Sequence, residues 1–428
     1  MIRKEYPALD EVICWDKLPN GLTVAVVPRP GFSQKLAYFA TDYGSLHRQF
    51  ITDGAAGSCP EGTAHFLEHK LFDMPGGRDV TEEFAALGAS PNAFTSYDMT
   101  AYYFSCTDRF EQALALLLEF VSTPWFIQES VDKEQGIIGQ EIDMNLDNPD
   151  SRIFNNLMAA MYEKHPVREE ILGDRQTIRR ITPQTLHQVH RAFYQPSNML
   201  LCVVGDVDPE QVLDITRKTL PEETGPAVSV TRKWQEEMSC PRDFVKEEMD
   251  VFMPTFQLGF KCEPLEKGRE AARQEIIGDL AAEALFGESS ELYLRLYEGE
   301  IIDSSFGGGF ETIDGMALFT ASGDSNDPQA VVDAILAKAA EIAKNGLDEK
   351  DFLRMKRSAL GRRIRSLDSF DATCYRICAY YFSGFDYFHF PSVYRDITAA
   401  DVCRFLEDSI TKERMSLAVI YPNKEDIA

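Results

Sequence analysis

The densest group of chemically capable side chains is His65-Phe66-Leu67-Glu68-His69, inside the segment Gly62–Phe72 (GTAHFLEHKLF). Residues four apart on a helix lie one turn apart on the same face, so His65 and His69 can turn two imidazoles toward one cation. Glu68, three residues after His65, sits on the same side. It can reach a water molecule held by that cation without being a ligand itself. This is the H-x-x-E-H order of the inverted zincins. Two histidines on a helix are more often a polar surface or satisfied core groups than a site. Phe66, Leu67, Leu71 and Phe72 weigh against that here, because they mark a largely buried helix. Two imidazoles and a carboxylate in such a place need partners, and a metal ion supplies them.

A catalytic zinc takes three protein ligands and keeps one position open. Lys133–Ile142 (KEQGIIGQEI) offers the third: Glu134 and Glu141 are seven residues apart, about two helical turns, and share a face. One can bind the metal while the other orients a histidine ligand. Asp132, Asp143 and Asp147 keep open the competing reading of a solvated acidic face.

These residues need elements to hold them. Gly62–Phe72 and Ser130–Asn145 read as the two helices. Asn92–Phe104 reads as two strands with a turn around Tyr97-Asp98, and Leu22–Val27 and Leu36–Tyr43 as further strands. Helices are expected at Val80–Leu87, Phe110–Val121 and Ser151–Tyr162, and a strand at Leu200–Val204. Periodicity lapses near Pro221–Ser229 and then restarts. Strands follow at Phe256–Phe260, Phe306–Phe310, Ala317–Ala321 and Met415–Tyr421. Helices follow at Arg269–Phe286, Pro328–Lys344, Asp351–Ile364 and Ala372–Phe382. Both halves run strand, helix, strands, helices, strand, and Ser197–Val204 resembles Arg414–Tyr421. The expectation is a duplicated α+β architecture: two such domains, each a mixed sheet flanked by helices, at 1–220 and 244–428, joined by a linker at 221–243.

Of 428 residues, 44% are hydrophobic and 26% charged, which fits a folded chain rather than a disordered or disulfide-stapled one. Asp and Glu outnumber Lys and Arg 69 to 43, a formal charge of −26. Such a surface repels phosphate backbones and anionic lipid heads, which argues against nucleic-acid and membrane binding. It suits neutral or basic partners such as cationic peptides. No stretch reaches the ~20 apolar residues of a membrane span, and Met1–Asp10 lacks the apolar core of a secretory signal. Nine irregularly spaced cysteines read as reduced, mostly buried thiols of a cytoplasmic protein.

Beyond the five-residue motif, the chain resembles the insulinase-like family of zinc metallopeptidases that includes pitrilysin, insulin-degrading enzyme and mitochondrial processing peptidase. The likeness runs in order through Leu18-Pro19-Asn20-Gly21-Leu22, Gly62–Phe72, Gly88, Asn92-Ala93-Phe94-Thr95, Thr100-Ala101-Tyr102, the paired glutamates, His165-Pro166, Tyr194–Met199 and Val204-Gly205-Asp206. The resemblance implies one Zn²⁺ per chain, with His65, His69 and Glu141 as ligands, Glu68 as general base and Glu134 behind a histidine ligand. Asn92, Ala93, Phe94 and Thr95 become the edge strand that pairs with an extended peptide substrate. An exposed strand edge is by itself a natural peptide receptor. The implied activity is endoproteolysis of peptides or unfolded segments, in a clam-shell of two domains. Water activated by zinc would attack the scissile carbonyl, with Glu68 moving the proton to the leaving amine. The competing reading is a non-catalytic structural or assembly subunit of the same fold.

One departure bears on partners. Active relatives carry an Arg and a Tyr seven residues apart in the second half, where they hold and polarise the substrate. In Ser289–Phe306 the best register places Tyr297 and Ser304 there, so the pair is unmatched. The reading favoured is that a homologous second subunit supplies it, as a heterodimer rather than a homodimer. His187 and His190 read as helix surface, and Gly307-Gly308-Gly309, with no Lys-Ser/Thr after it, as a flexible connection. The aromatic residues between Tyr375 and Phe390 read as core or subunit contact. Lys70, where many relatives carry an apolar residue, has no sequence-level explanation.

Overall fold

The computed structural model describes residues 1–223, 225–230 and 234–423, which fall into two compact units. The first gathers Met1–Ile142, Glu170–Arg232 and Ile364–Phe388. The second gathers Asp143–Glu169, Lys233–Arg363 and His389–Ala428.

The first unit is built on seven strands: β1 (Ile2–Tyr6), β2 (Glu11–Lys17), β3 (Thr23–Pro28), β4 (Lys35–Thr41), β5 (Ser90–Thr95), β6 (Thr100–Cys106) and β7 (Met199–Gly205). Their order is β1-β2-β3-β7-β4-β6-β5. The pair β3–β7 is parallel and every other pair is antiparallel. Every residue of β7 is buried, as befits a central strand with both faces covered. The second unit has β8 (Phe244–Met249), β9 (Thr255–Cys262), β10 (Gly307–Ile313), β11 (Met316–Asp324) and β12 (Met415–Pro422), in the order β8-β12-β9-β11-β10. Again one pair, β8–β12, is parallel and the rest antiparallel. In both sheets a single parallel pair leads through antiparallel partners to one edge, with β1 and β2 added on its other side in the first sheet. This is the mixed, duplicated α+β architecture the sequence leads one to expect.

Four helices matter for the site and the fold: α1 (Thr63–Lys70), α2 (Gln128–Leu146), α3 (Pro149–Met161) and α4 (Phe370–Phe382). Each unit takes one of them from the other half of the chain. In the second unit α3 packs on β12, β9 and β8, and in the first unit α4 packs on β7 and β4. The start of α3 is fixed locally: the Asn148 side chain accepts from the amides of Asp150 and Ser151, and Pro149 sits at the first helical position.

Part of the expected linker is structured, since Val228–Val230 pairs with Gln49–Thr52 in a small three-stranded sheet. Residues 224 and 231–233 of that linker, and 424–428 of the expected second domain, lie outside the described residues. Two sequence expectations are corrected. Gly307–Gly309 is not a flexible connection but the start of β10, paired with Ser322, Ala321 and Thr320. His190 is not on the surface: it is buried and its Nε2 lies 2.9 Å from the Val121 carbonyl oxygen, while His187 is exposed. All nine cysteines are free thiols. Among the described residues no helix is long and apolar enough to cross a membrane.

Candidate metal centre

Helix α1 begins at Gly62, whose φ of 82° is left-handed and whose missing Cβ would stand 2.4 Å from the Leu172 carbonyl oxygen. Glycine meets both demands. Phe66 and Leu67 are fully buried in the core of the first unit, alongside Phe104, Leu114 and Leu117. That packing fixes the helix's rotation and sends His65, Glu68 and His69 to another side. The two imidazole centroids lie 4.5 Å apart.

Helix α2 presents Glu134 and Glu141 toward them. His65 Nε2 is 3.5 Å from Glu141 Oε1, and His69 Nε2 is 3.7 Å from Glu141 Oε2. Both exceed the ordinary 2.7–3.2 Å hydrogen-bond range. Two donors each ~2.0–2.1 Å from a tetrahedral zinc stand about 3.4 Å apart, so the spacing suits a shared cation better than direct bonds. Donor atoms of His65, His69 and Glu141 all lie within 4.8 Å of one another. The buried Nδ1 of His65 has no hydrogen-bond partner among the described residues, so that ring's polar approach is through Nε2. Two imidazole nitrogens and one carboxylate oxygen are a donor set that zinc accepts.

The surrounding groups set the charges. Glu134 Oε1 is 3.1 Å from His69 Nδ1. Burial alone would lower the His69 pKa, but Glu134, Glu68 and Glu141 outweigh it and raise it. Burial pushes Glu134 up, yet the His69 bond and the Lys70 charge carry it below the usual carboxylate range. The His65 interaction holds Glu141 low against partial burial. Glu68 is the exception: burial raises its pKa despite the Thr95 hydrogen bond and the two imidazoles.

Asn92, Ala93, Phe94 and Thr95 lie on β5, the edge strand, opposite Tyr103, Tyr102, Ala101 and Thr100 of β6. Phe94 packs against Tyr38, Tyr103 and Tyr375. The Thr95 hydroxyl donates to Glu68 Oε2 at 2.6 Å, which ties the edge strand to the acid on α1. That link is invisible to sequence spacing. So is the environment of Lys70, which is 1% exposed and bonded to Asp73 and Ser130, with Glu134 Oε2 3.5 Å away. A lysine directly after the second motif histidine, on a helix that reads as buried, was the available clue.

Residues 54–175 match the family model described as Insulinase (Peptidase family M16), and 180–359 match that described as Peptidase M16 inactive domain. A Bacillus subtilis protein named uncharacterized zinc protease YmfH is 36% identical over 432 residues, 98% of each chain. An Arabidopsis thaliana protein named probable mitochondrial-processing peptidase subunit beta is 31% identical over 207 residues, 47% of this chain and 37% of that one. The solved structure of an M16-like chain from Alicyclobacillus acidocaldarius superposes with a TM-score of 0.92 at 32% identity, covering 96% of this chain and 99% of that one. On the full-length relative and the two matched models together, the chain belongs to the insulinase family of peptidases, M16.

Proposed function

We propose that this chain is a zinc-dependent endopeptidase subunit that hydrolyses peptides or unfolded protein segments. The observation that carries the reading is the convergence of His65, His69 and Glu141 within 4.8 Å, beside a carboxylate, Glu68, anchored by the edge strand. His65, His69 and Glu141 would hold one Zn²⁺, with Glu134 orienting His69. Zinc in such a site supplies Lewis acidity, which acidifies water and polarises a carbonyl.

The chain's own residues do the rest. Glu68 takes a proton from the attacking water and returns it to the leaving amine. Its raised pKa brings the carboxylate nearer the pH at which it must both accept and give. Thr95 holds one carboxylate oxygen, which fixes the direction of the transfer. The outer edge of β5, at Asn92–Thr95, offers backbone groups to an extended peptide, and the net charge of −26 favours basic segments.

The remaining assignments follow the same reading. Residues 1–220 and 244–428 are two copies of one unit joined by 221–243. A homologous second subunit, in a heterodimer, supplies the Arg and Tyr for which Tyr297 and Ser304 stand here. Nine free thiols fit a cytoplasmic location. The alternative, a non-catalytic assembly subunit, draws on the description of the model matched by 180–359. The two are separated by assaying a mixed peptide library with the chain alone and with a co-expressed homologue. In Glu68→Gln, hydrolysis is expected to fall ~10²–10⁴-fold while one zinc per chain is retained. Hydrolysis at the unaltered rate, or a native protein that binds no zinc, would overturn the assignment.

A further inference from the structure

We infer that Lys70 is a positioning residue for the metal centre, clamping α2 to α1 so that Glu134 and Glu141 face the two histidines. This rests on the reading of His65, His69 and Glu141 as metal ligands. An ammonium has three N–H donors. Here three acceptors surround it in a place that is 1% exposed: Asp73 Oδ2, Ser130 Oγ and Glu134 Oε2, the last at 3.5 Å. Ser130 in turn donates to Asp73 at 2.5 Å. Lys70 is the last residue of α1, immediately after His69, whereas Ser130 and Glu134 lie one turn apart on α2.

The clamp has two consequences. It fixes the face of α2, because Ser130 and Glu134 are held from one side and Glu141 follows two turns later on the same stripe. It also gives each oxygen of Glu134 its own partner: Oε2 lies at ion-pair distance, 3.5 Å, from Lys70, and Oε1 is 3.1 Å from His69 Nδ1. A carboxylate drawn toward an ammonium at one oxygen is restrained from swinging away from the imidazole it orients, so Lys70 acts on His69 through Glu134. Burying an ammonium is costly unless it is paired, and an apolar side chain would fill the same space more cheaply. Positioning accounts for keeping the charge there.

The test is zinc affinity by chelator competition on the full chain, with wild type, Lys70→Met, Glu134→Gln and the double variant. Lys70→Met should weaken zinc binding ~10–100-fold, as loss of a partner behind a ligand does, and should alter the visible spectrum of the cobalt-substituted protein. In the Glu134→Gln background the same substitution should cost less than about threefold, since its route to His69 is already cut. An equal loss in both backgrounds overturns the proposal in favour of plain structural support, and so does binding by Lys70→Met within about threefold of wild type. Should Lys70→Met fail to fold, Ser130→Ala, which removes one acceptor and no charge, is expected to weaken zinc ~3-fold, and unchanged affinity there overturns the proposal. A wild-type protein that takes up no zinc fails at the earlier step and sinks the metal reading itself.

Discussion

The two units place a helix pair at the same points in their chain order. α1 follows β4 after two short strands outside the main sheet, and α2 follows β6 and one intervening helix. In the second unit Arg269–Phe286 follows β9, and Glu349–Arg365 follows β11 and one intervening helix. What the pairs carry differs. The second joins its helices by ion pairs: Arg363 to Glu275 at 2.5 Å and Arg362 to Glu283 at 2.6 Å. The first sets carboxylates Glu68, Glu134, Glu141 and Asp73 around one ammonium, Lys70, and two imidazoles. One scaffold thus neutralises itself, and the other keeps an excess of negative charge that a divalent cation would offset. The site is a matter of side-chain charge balance on a repeated frame, not of a special fold.

Disrupting each pair in turn should give opposite signatures. Glu141→Ala is expected to abolish zinc binding and to cut peptide hydrolysis by more than ~10³-fold, while costing the metal-free protein only about 1 kcal/mol or less, because the His65 interaction that holds this carboxylate low is made by a partly exposed group. Metal analysis and thermal denaturation of chelator-treated protein check this. Arg363→Met should do the reverse. It takes the Arg363 charge away from Glu275 and should cost about 2–3 kcal/mol, short of the ~3–5 of a fully buried pair because the Glu275 side chain is 20% exposed, with zinc stoichiometry unaltered. If Arg363→Met loses zinc or Glu141→Ala loses as much stability as Arg363→Met, the contrast between the pairs is wrong.

A smaller effect sharpens the catalytic side of the contrast. Thr95→Val keeps the shape and the strand but removes the hydroxyl that holds Glu68. A hydrogen bond to a charged group is worth about 1.5–3 kcal/mol, so kcat/KM should fall ~10–100-fold with zinc affinity unchanged. A variant within about twofold of wild type would mean that Glu68 is positioned by something else.

The helix bearing His65, Glu68 and His69 was legible because its apolar residues and its polar ones repeat at different phases of the same helical period. The pair Glu134 and Glu141 was legible as a shared face, and β5 as a strand. Three things were not. β1 has the text IRKEY, exposed at four of its five positions, and carries no alternation to read. The amphipathic stripes of α3 and α4 announce burial but not which sheet covers them, so the exchange of helices between units could not be foreseen. Arg363 and Lys70 look like surface charges in sequence. Their burial depends on Glu275 and on Asp73, Ser130 and Glu134, partners that spacing alone does not bring together.

The smallest predicted effect concerns a feature the units share. Each buries a histidine away from the candidate metal centre whose pKa is pushed down: His190 in the first and His165 in the second. Burial pushes both pKa values down to about 4, against the Val121 carbonyl for His190 and against Glu236 for His165. Unfolded, each would titrate near ~6.5. Between those values the unfolded chain binds more protons than the folded one, so stability rises with pH. The contribution is fully present above ~6.5 and is lost as pH falls toward 4. For each histidine the loss between pH 7 and pH 5 should be ~1–2 kcal/mol, since one pKa unit corresponds to ~1.4 kcal/mol. His190→Gln and His165→Gln, in which an amide can take over part of the hydrogen bonding, should each flatten the fall of the denaturation midpoint over that range by a similar amount. An unaltered slope in either variant would show that its imidazole already takes up the proton in the folded state. In that case acid sensitivity would have to come from carboxylates held low, and these lie in both units: Glu134 and Glu141 in the first, Glu247 and Asp401 in the second.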